Sequence, residues 1–143
     1  MRLGIYAVGR LKEKYLAAAE AEYKKRLGRL CKLEIREHAD EAALVKALPA
    51  NAKLVLLDER GELIDSVTFA RDLLEAHAVR GGGAPLIFAI GGADGHSPEL
   101  RARADRLIAF GRLTIAHRLV RVILIEQVYR GLSIIAGLPY HRG

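Results

Sequence analysis

The chain has 143 residues, of which 51% are hydrophobic and 28% charged, so it can bury a core and wholesale disorder is excluded. This length suits one domain over residues 1–143. The net charge of +6 favours an anionic partner such as nucleic acid, although a mild basic excess also occurs without such a role.

The first part of the chain alternates between strand-like and helix-like patterns. Residues 3–8 form an apolar run typical of a buried strand, and residues 13–30 place apolar side chains at helical spacing. Residues 32–37 alternate as a half-buried strand does, and residues 40–48 predict a short helix. Residues 54–58, with the sequence LVLLD, predict a fully buried strand that ends in an acid.

The second part continues this alternation with three helices and two strands. In chain order we predict a helix from Ser66 to the glycines at 81–83, a buried strand at 85–90, a helix capped by Ser97 with Pro98 at its first position, a strand at 112–116 and a long helix at 118–135.

All-apolar strands that alternate with helices are typical of an α/β fold, a parallel sheet with helices on both faces. Ligands of such sheets bind beyond the carboxyl ends of the strands. Three segments are predicted at those ends: Leu57-Asp58, the glycine loop at 91–95, and TIAH at 114–117. The glycine loop matches neither a dinucleotide fingerprint nor a P-loop, so it indicates a small-molecule site or simply a tight turn.

The last helix is apolar nearly all round between Leu119 and Val128, which indicates burial on more than one face, the second against another subunit. Glu126 and Arg130 are one turn apart and predict an ion pair, either structural or in contact with substrate. His117, at the predicted junction of strand and helix, is either a core histidine or a catalyst.

Basic residues concentrate in the first quarter of the chain. They could follow a phosphate backbone, or they could form an ordinary solvated face. They are Lys12, Lys14, Lys24, Lys25, Arg26, Arg29 and Lys32.

The single cysteine, Cys31, excludes an internal disulfide and fits a reducing cytoplasm. The longest strongly apolar runs, such as 122–125, are too short to cross a bilayer, and the start of the chain has no signal-peptide pattern. The five histidines are dispersed without metal-site spacing. We therefore expect a cytoplasmic protein with no membrane segment and no metal.

Four segments, LVLLDERG, IGGADG, LTIAHRLVRVILIEQVYRGLSI and the ending PYHRG, resemble the RlmH (YbeA) family of SPOUT methyltransferases. The similarity extends over nearly the whole chain and is most specific in its last forty residues. The family's loop usually reads GGPEG where this chain has Ala93-Asp94, and Leu-Pro where it has Ile115-Ala116. Backbone contacts to a ligand would survive both changes.

The resemblance implies a C-terminal trefoil knot, bound S-adenosylmethionine (SAM) and a homodimer. It implies methylation of N3 of pseudouridine 1915 in 23S ribosomal RNA, with the assembled ribosome as substrate. Carried over by position, the cofactor-binding residues would be Leu57, Asp58, Gly92, Gly111, Arg112, Leu113, Thr114, Ile115 and Ala116.

The resemblance also gives the C-terminal residues a role, because a dimeric active site can be completed by the tail of the neighbouring subunit. N3 of pseudouridine must lose a proton before it attacks, and His141 and His117 are candidate bases. Arg142 could stabilise the resulting anion, and Tyr140 could stack on the target base.

Two other functions fit the sequence. A non-enzymatic RNA- or ribosome-binding module would use only the basic face and would bind no cofactor. A SAM-dependent methyltransferase acting on another RNA or on a small molecule would bind the cofactor but would be indifferent to ribosomes.

Overall fold

The structure, a computed structural model, describes residues 1–142; Gly143, the last residue of the domain predicted over 1–143, lies outside the described residues. The strands are β1 (Arg2–Val8), β2 (Lys32–His38), β3 (Lys53–Leu63), β4 (Leu86–Ile90) and β5 (Arg106–Ala109). They form one parallel sheet in the order β2-β1-β4-β3-β5.

The helices follow the strands along the chain. They are α1 (Lys14–Leu27), α2 (Glu41–Ala47), α3, α4 (Pro98–Arg103) and α5 (His117–Ala136), where α3 joins an α-helical turn at Ser66–Thr68, a π-helical segment at Phe69–Glu75 and an α-helical segment at Ala76–Arg80.

Side-chain caps explain where three of the helices begin. The carboxylate of Asp40 accepts the Ala43 N–H at the start of α2, and that of Asp65 accepts the Thr68 N–H at the start of α3. Ser97 accepts the Leu100 N–H at the start of α4, and Pro98 occupies the first turn, as the sequence predicts.

Helices cover both faces of the sheet, as the all-apolar strands predict. Along β3, Leu57 belongs to the core under α1, α3 and α5, whereas Leu56 belongs to the core under α2 and α4. Phe88 and Leu124 are fully buried in the first core, and Leu44 is fully buried in the second. Successive residues of one strand therefore enter opposite cores.

The strand predicted at 112–116 is wrong, because β5 occupies Arg106–Ala109 instead. Asp105 fixes β5 at the edge of the sheet: its backbone N–H donates to the Leu54 carbonyl, and its carboxylate accepts the Leu54 N–H at 2.8 Å. Residues 112–116 form a loop instead, with Leu113 83% exposed. His117 consequently begins α5 from a loop and does not follow a strand.

β3 is longer than predicted because it bulges after Leu57. Both Leu57 and Glu62 pair with Ile108 of β5, so the residues between them loop out of the ladder. A side chain at Gly61 would lie 2.6 Å from the backbone nitrogen of Ile108, so only glycine allows this return to the sheet. The bulge places residues 58–60 at the carboxyl edge of the sheet.

A buried ion cluster fastens α5 to the N-terminal part of the chain. Arg121, 5% exposed, donates to both carboxylate oxygens of Glu20 at 2.5 and 2.9 Å, and to Glu37 at 2.6 Å. One turn earlier, Arg118 pairs with Glu13. These contacts fix the orientation of the first turns of α5, where His117 lies.

Candidate functional site

A cavity of about 400 Å³ opens at the carboxyl ends of β3, β4 and β5, within the size range of small-molecule sites. All three predicted segments reach it: Leu57-Asp58, the glycine loop 91–95, and the loop that ends at His117. The other lining residues are Glu59, Arg60, Ile90, His96, Arg101, Ile108, Ala109, Phe110 and Val120. Most of these carry no sequence signal that would assign them to a site.

The carboxylate of Asp58 forms one wall of the cavity and accepts a hydrogen bond from the protein on each of its oxygens. Its Oδ1 accepts the Arg60 N–H at 2.9 Å, and its Oδ2 accepts Nε–H of Arg101 at 2.6 Å. Burial opposes ionisation of Asp58, but these bonds and the Arg101 charge outweigh it and lower its pKa below the ordinary value. Asp58 is therefore an anion whose position in the wall is fixed by Arg60 and Arg101.

His96, 5% exposed, lies beneath the same wall. Its Nε2 lies 3.2 Å from the Leu57 carbonyl oxygen, and its Nδ1 lies 3.9 Å from Oε1 of Glu41. Burial lowers the pKa of His96 despite the favourable Leu57 bond and the nearby carboxylates. A neutral His96 ties the end of β3 to the glycine loop.

The glycine loop is closed tightly on itself. Gly95 donates its N–H to the Gly92 carbonyl at 3.0 Å, and a side chain on Gly91 would lie 2.8 Å from the Gly95 backbone. Ala93 and Asp94 lie exposed at the tip, so the departure from the family's usual loop falls where no packing depends on it. The loop leaves backbone groups facing the cavity.

The loop after β5 forms the third wall. Gly111, Leu113 and the segment 114–116 line the cavity, and Thr114 donates to a Glu59 carboxylate oxygen at 2.8 Å. Arg112 is the exception among the predicted cofactor residues, because it is not in the lining and its guanidinium bonds the Glu59 carbonyl. Its part in cofactor binding stays a prediction.

The structure separates the four predicted catalytic residues into two groups within one chain. His117 lines the cavity at the first turn of α5, whereas Tyr140 and His141 follow the last turn. The tail folds back along α5, so Tyr140 contacts Glu126 and His141 contacts Arg130, which lie roughly 14 and 20 Å from His117 along the helix axis at 1.5 Å per residue. One chain therefore does not bring its own tail to its own cavity.

The tail packs against α5 through the ion pair that the sequence predicts. Arg130 and Glu126 are paired at 2.8 Å. The Tyr140 hydroxyl donates to Glu126 at 3.1 Å and lies 3.0 Å from that of Tyr23, while Nη1 of Arg130 donates to Nδ1 of His141 at 3.0 Å. Burial and these hydroxyl and carboxylate neighbours raise the pKa of Tyr140, so it remains a neutral donor.

A second concave surface, of about 460 Å³, lies on the other side of the loop after β5. Leu63, Phe110 and Ile123 give it an apolar lining, and the Ser66 hydroxyl donates to Gln127 at 2.7 Å at its edge. Leu63 is 57% exposed and Leu119, on the same face of α5 as Ile123, is 45% exposed. This face of α5 is the one its own chain leaves incompletely covered.

The basic residues of α1 are mostly exposed, but Arg26 is engaged within the chain. It pairs with Glu22 at 2.7 Å and lies over the rings of Tyr23 and Tyr129. Lys24 and Lys25 remain exposed, and a role for them in contact with RNA stays a prediction.

Within residues 1–142, no group of three or more His, Cys, Asp or Glu side chains is placed to hold a metal ion. The same described part of the chain contains no helix long and apolar enough to cross a membrane.

Comparison with known proteins places these features in a family. The family described as "Predicted SPOUT methyltransferase" matches residues 1–141. Two proteins named ribosomal RNA large subunit methyltransferase H are similar over 99% of this chain: that of Geotalea daltonii, 43% identical with 99% of its own length covered, and that of Limosilactobacillus reuteri, 41% identical with 100% covered.

Two solved structures share the fold at low sequence identity. One, described as structural insights into the 2-OH methylation of C/U34 on tRNA, has a TM-score of 0.52 at 18% identity and covers 93% of this chain and 92% of its own. The other, a probable methylase family protein from Haemophilus influenzae, has a TM-score of 0.59 at 9% identity. The match covers 99% of this chain and 70% of that protein's chain. Together with the family match and the parallel sheet, they confirm the predicted α/β-knot methyltransferase fold.

Proposed function

The chain belongs to the SPOUT methyltransferase family, and we propose that it methylates N3 of a pseudouridine in the 23S RNA of the assembled ribosome, with S-adenosylmethionine as methyl donor. The full-length similarity to proteins named ribosomal RNA large subunit methyltransferase H supports ribosomal RNA as the substrate. The observation that carries the proposal is the convergence of three strand-end segments on one cavity.

The residues around the cavity fit the cofactor. Leu57, Ile90 and Ile115 supply apolar walls for a nucleobase, and the closed glycine loop offers backbone groups at Gly92. We assign cofactor contact to Leu57, Gly92, Gly111 and the segment 113–116, with Asp58 shaping the wall and Arg112 contributing through its backbone. When bound, S-adenosylmethionine supplies an electrophilic methyl group, so the protein needs no nucleophilic side chain.

The protein's own chemical task is to position the pseudouridine and to remove the proton from N3. A base with a pKa near neutrality serves this best, and His117 at the cavity and His141 in the tail are the two candidates. Arg142, which is exposed, would stabilise the negative charge that deprotonation leaves on the base. We assign Tyr140 to anchoring the tail, because its ring already packs edge-on against Tyr129.

The separation of tail and cavity supports a homodimer with shared active sites. Because Tyr140 and His141 are held on α5 roughly 14 to 20 Å beyond His117, and neither lines the cavity of its own chain, we propose that Arg142 and His141 serve the partner's cavity. The exposed apolar face of α5 that includes Leu119 and Ile123 would be covered by the second subunit.

Methyl transfer from labelled S-adenosylmethionine to ribosomes that lack the modification tests the proposal. We expect the label in 3-methylpseudouridine after nuclease digestion of the 23S RNA, and far less label in the protein-free RNA. Isothermal titration with S-adenosylmethionine accompanies this assay. No binding would favour the RNA-binding module, and binding with label in another RNA or nucleoside would favour a methyltransferase of different substrate.

A further inference from the structure

Arg101 approaches the cavity from α4 and uses only part of its guanidinium in contacts with the protein. Its Nε donates to Oδ2 of Asp58 at 2.6 Å, across 43 positions of sequence. Among residues 1–142, neither of its two terminal nitrogens has a hydrogen-bond partner in the protein. The side chain is 26% exposed, so that free edge is directed into a partly enclosed space.

The free edge of Arg101 lies beside the glycine loop. Nη2 of Arg101 lies 3.8 Å from where a side-chain carbon on Gly95 would lie, and Gly95 has a φ of +72°. The glycine therefore leaves open the space between the loop and the guanidinium. A ligand that contacts the backbone of the loop would also come within reach of Arg101.

Arg101 is also the cation most suited to an anionic group inside the cavity. Each oxygen of Asp58 already accepts one hydrogen bond from the protein, and its negative charge would repel an anionic group rather than hold it. His96 is buried and kept neutral, and Arg60 is exposed at the rim. A guanidinium already oriented by one carboxylate loses less side-chain entropy when it binds a second.

We propose that Arg101 binds the carboxylate of the amino-acid part of S-adenosylmethionine through its free guanidinium edge. This assignment rests on the proposed function, because it presumes that the cavity holds that cofactor. Asp58 acts here as a positioning residue, holding Nε of Arg101 so that the two terminal nitrogens face the ligand. Arg101 thereby selects for the amino-acid end of the cofactor, whereas the three loops bind the nucleoside end.

Arg101 could instead have a purely structural role, and comparing the binding of two ligands distinguishes the two roles. If Arg101 only braces Asp58 and the bulge at 58–60, its removal should weaken every ligand of the cavity equally. Decarboxylated S-adenosylmethionine keeps the nucleoside, the sulfonium and the ammonium group but lacks the carboxylate. It therefore reports on the cavity without the contact assigned to Arg101.

The experiment is isothermal titration of wild type, Arg101→Gln and Arg103→Gln with both ligands. Arg103→Gln is the control, because it removes the same charge from the exposed end of the same helix. We expect Arg101→Gln to weaken the binding of S-adenosylmethionine about ten- to a hundredfold, which is the usual effect of losing a charge-assisted hydrogen bond. The binding of decarboxylated S-adenosylmethionine should weaken less than about threefold. Arg103→Gln should change neither affinity.

Each other outcome overturns the assignment. Equal losses for both ligands in Arg101→Gln would make Arg101 a structural brace, and no loss for either would remove it from the site. If Arg101→Gln does not fold, Arg101→Lys is used, because it keeps the charge but lacks the two parallel donors of the guanidinium. It must still lose more affinity for S-adenosylmethionine than for the decarboxylated ligand. Wild-type protein that binds neither ligand would instead contradict the proposed function itself.

Discussion

His96 carries a consequence for stability at acid pH. Burial lowers its pKa below the ordinary value near 6.5, so the unfolded chain takes up a proton that the folded chain does not. The stabilisation from a neutral His96 is therefore complete above about pH 6.5 and is lost as the pH falls toward the folded-state pKa. Asp58 and Glu41 act in the same direction but at lower pH, since their pKa values are themselves lowered.

We predict that the free energy of unfolding falls as the pH drops below about 6.5, by up to about 1.4 kcal/mol per pH unit for the one proton at His96. His96→Gln, whose amide can still reach the Leu57 carbonyl, should flatten this slope while it leaves the fold intact. Urea denaturation at several pH values measures it. An unchanged slope in His96→Gln would mean that another group takes up the proton.

At the residue scale, the sequence predicts which residues lie at the ends of strands. It does not predict which charged side chains those residues pair with. Leu57 and Gly92 are at the cavity because strand ends and glycine turns are visible in a sequence. Arg101 could not be predicted, because its link to Asp58 spans 43 positions and depends on how α4 packs. Asp58 lines the cavity as well, and its contact with the cofactor stays a prediction.

At the level of elements, the misplaced last strand shows the limit of pattern alone. The segment RLIAF at 106–110 and the segment RLTIA at 112–116 have nearly the same apolar content. The segment 106–110 becomes the strand because of contacts with residues far away in the sequence. Asp105 bonds to Leu54, and the bulge of β3 lets both Leu57 and Glu62 pair with Ile108. Apart from the extension of β3 beyond residue 58, the remaining helices and strands are found within about three residues of their predicted bounds, because their apolar periodicity is clear.

The structure also resolves which side of α5 is free, a point that its sequence leaves open. Ile125 is fully buried in its own core, whereas Ile123 is half-buried and faces the second concave surface. We predict that Ile125→Glu unfolds the protein, because burying a carboxylate costs several kcal/mol in a marginally stable domain. Ile123→Glu should instead leave a folded monomer.

Sedimentation velocity at micromolar concentration and circular dichroism distinguish these two outcomes. Wild type should sediment as a dimer, and Ile123→Glu as a species of 15.7 kDa with unchanged secondary structure. A dimeric Ile123→Glu would place the subunit interface elsewhere. A folded Ile125→Glu would contradict the packing of α5 against its own sheet.

At the scale of the whole molecule, the parallel sheet with helices on both faces follows from the all-apolar strands, but the knot does not. A knot depends on how distant parts of the chain pass one another, which no local pattern encodes, and the resemblance to the family is what implied it. The position of the C-terminal tail likewise depends on a contact between residues far apart in the sequence. Tyr140 is fixed by Tyr23, which lies 117 positions earlier, so a terminus that would ordinarily fray is held in place.

The central claim is that one subunit's cavity works with its partner's tail. It is tested most directly by mixing two inactive variants. Gly92→Val places a branched side chain at the cavity wall, tight against Val8 at 3.2 Å, where it would fill space that the cofactor needs. Deletion of residues 139–143 removes the tail but spares α5. Each variant alone should fold and dimerise, yet transfer almost no methyl groups to ribosomes.

Co-refolded mixtures of the two variants should regain about a quarter of wild-type activity, since half of randomly formed dimers carry one intact cavity beside one intact tail. In that dimer the tailless subunit supplies the cavity and the Gly92→Val subunit supplies the tail. A mixture that remains inactive, although heterodimers are shown to form, would mean that each tail serves its own subunit and would contradict the shared site.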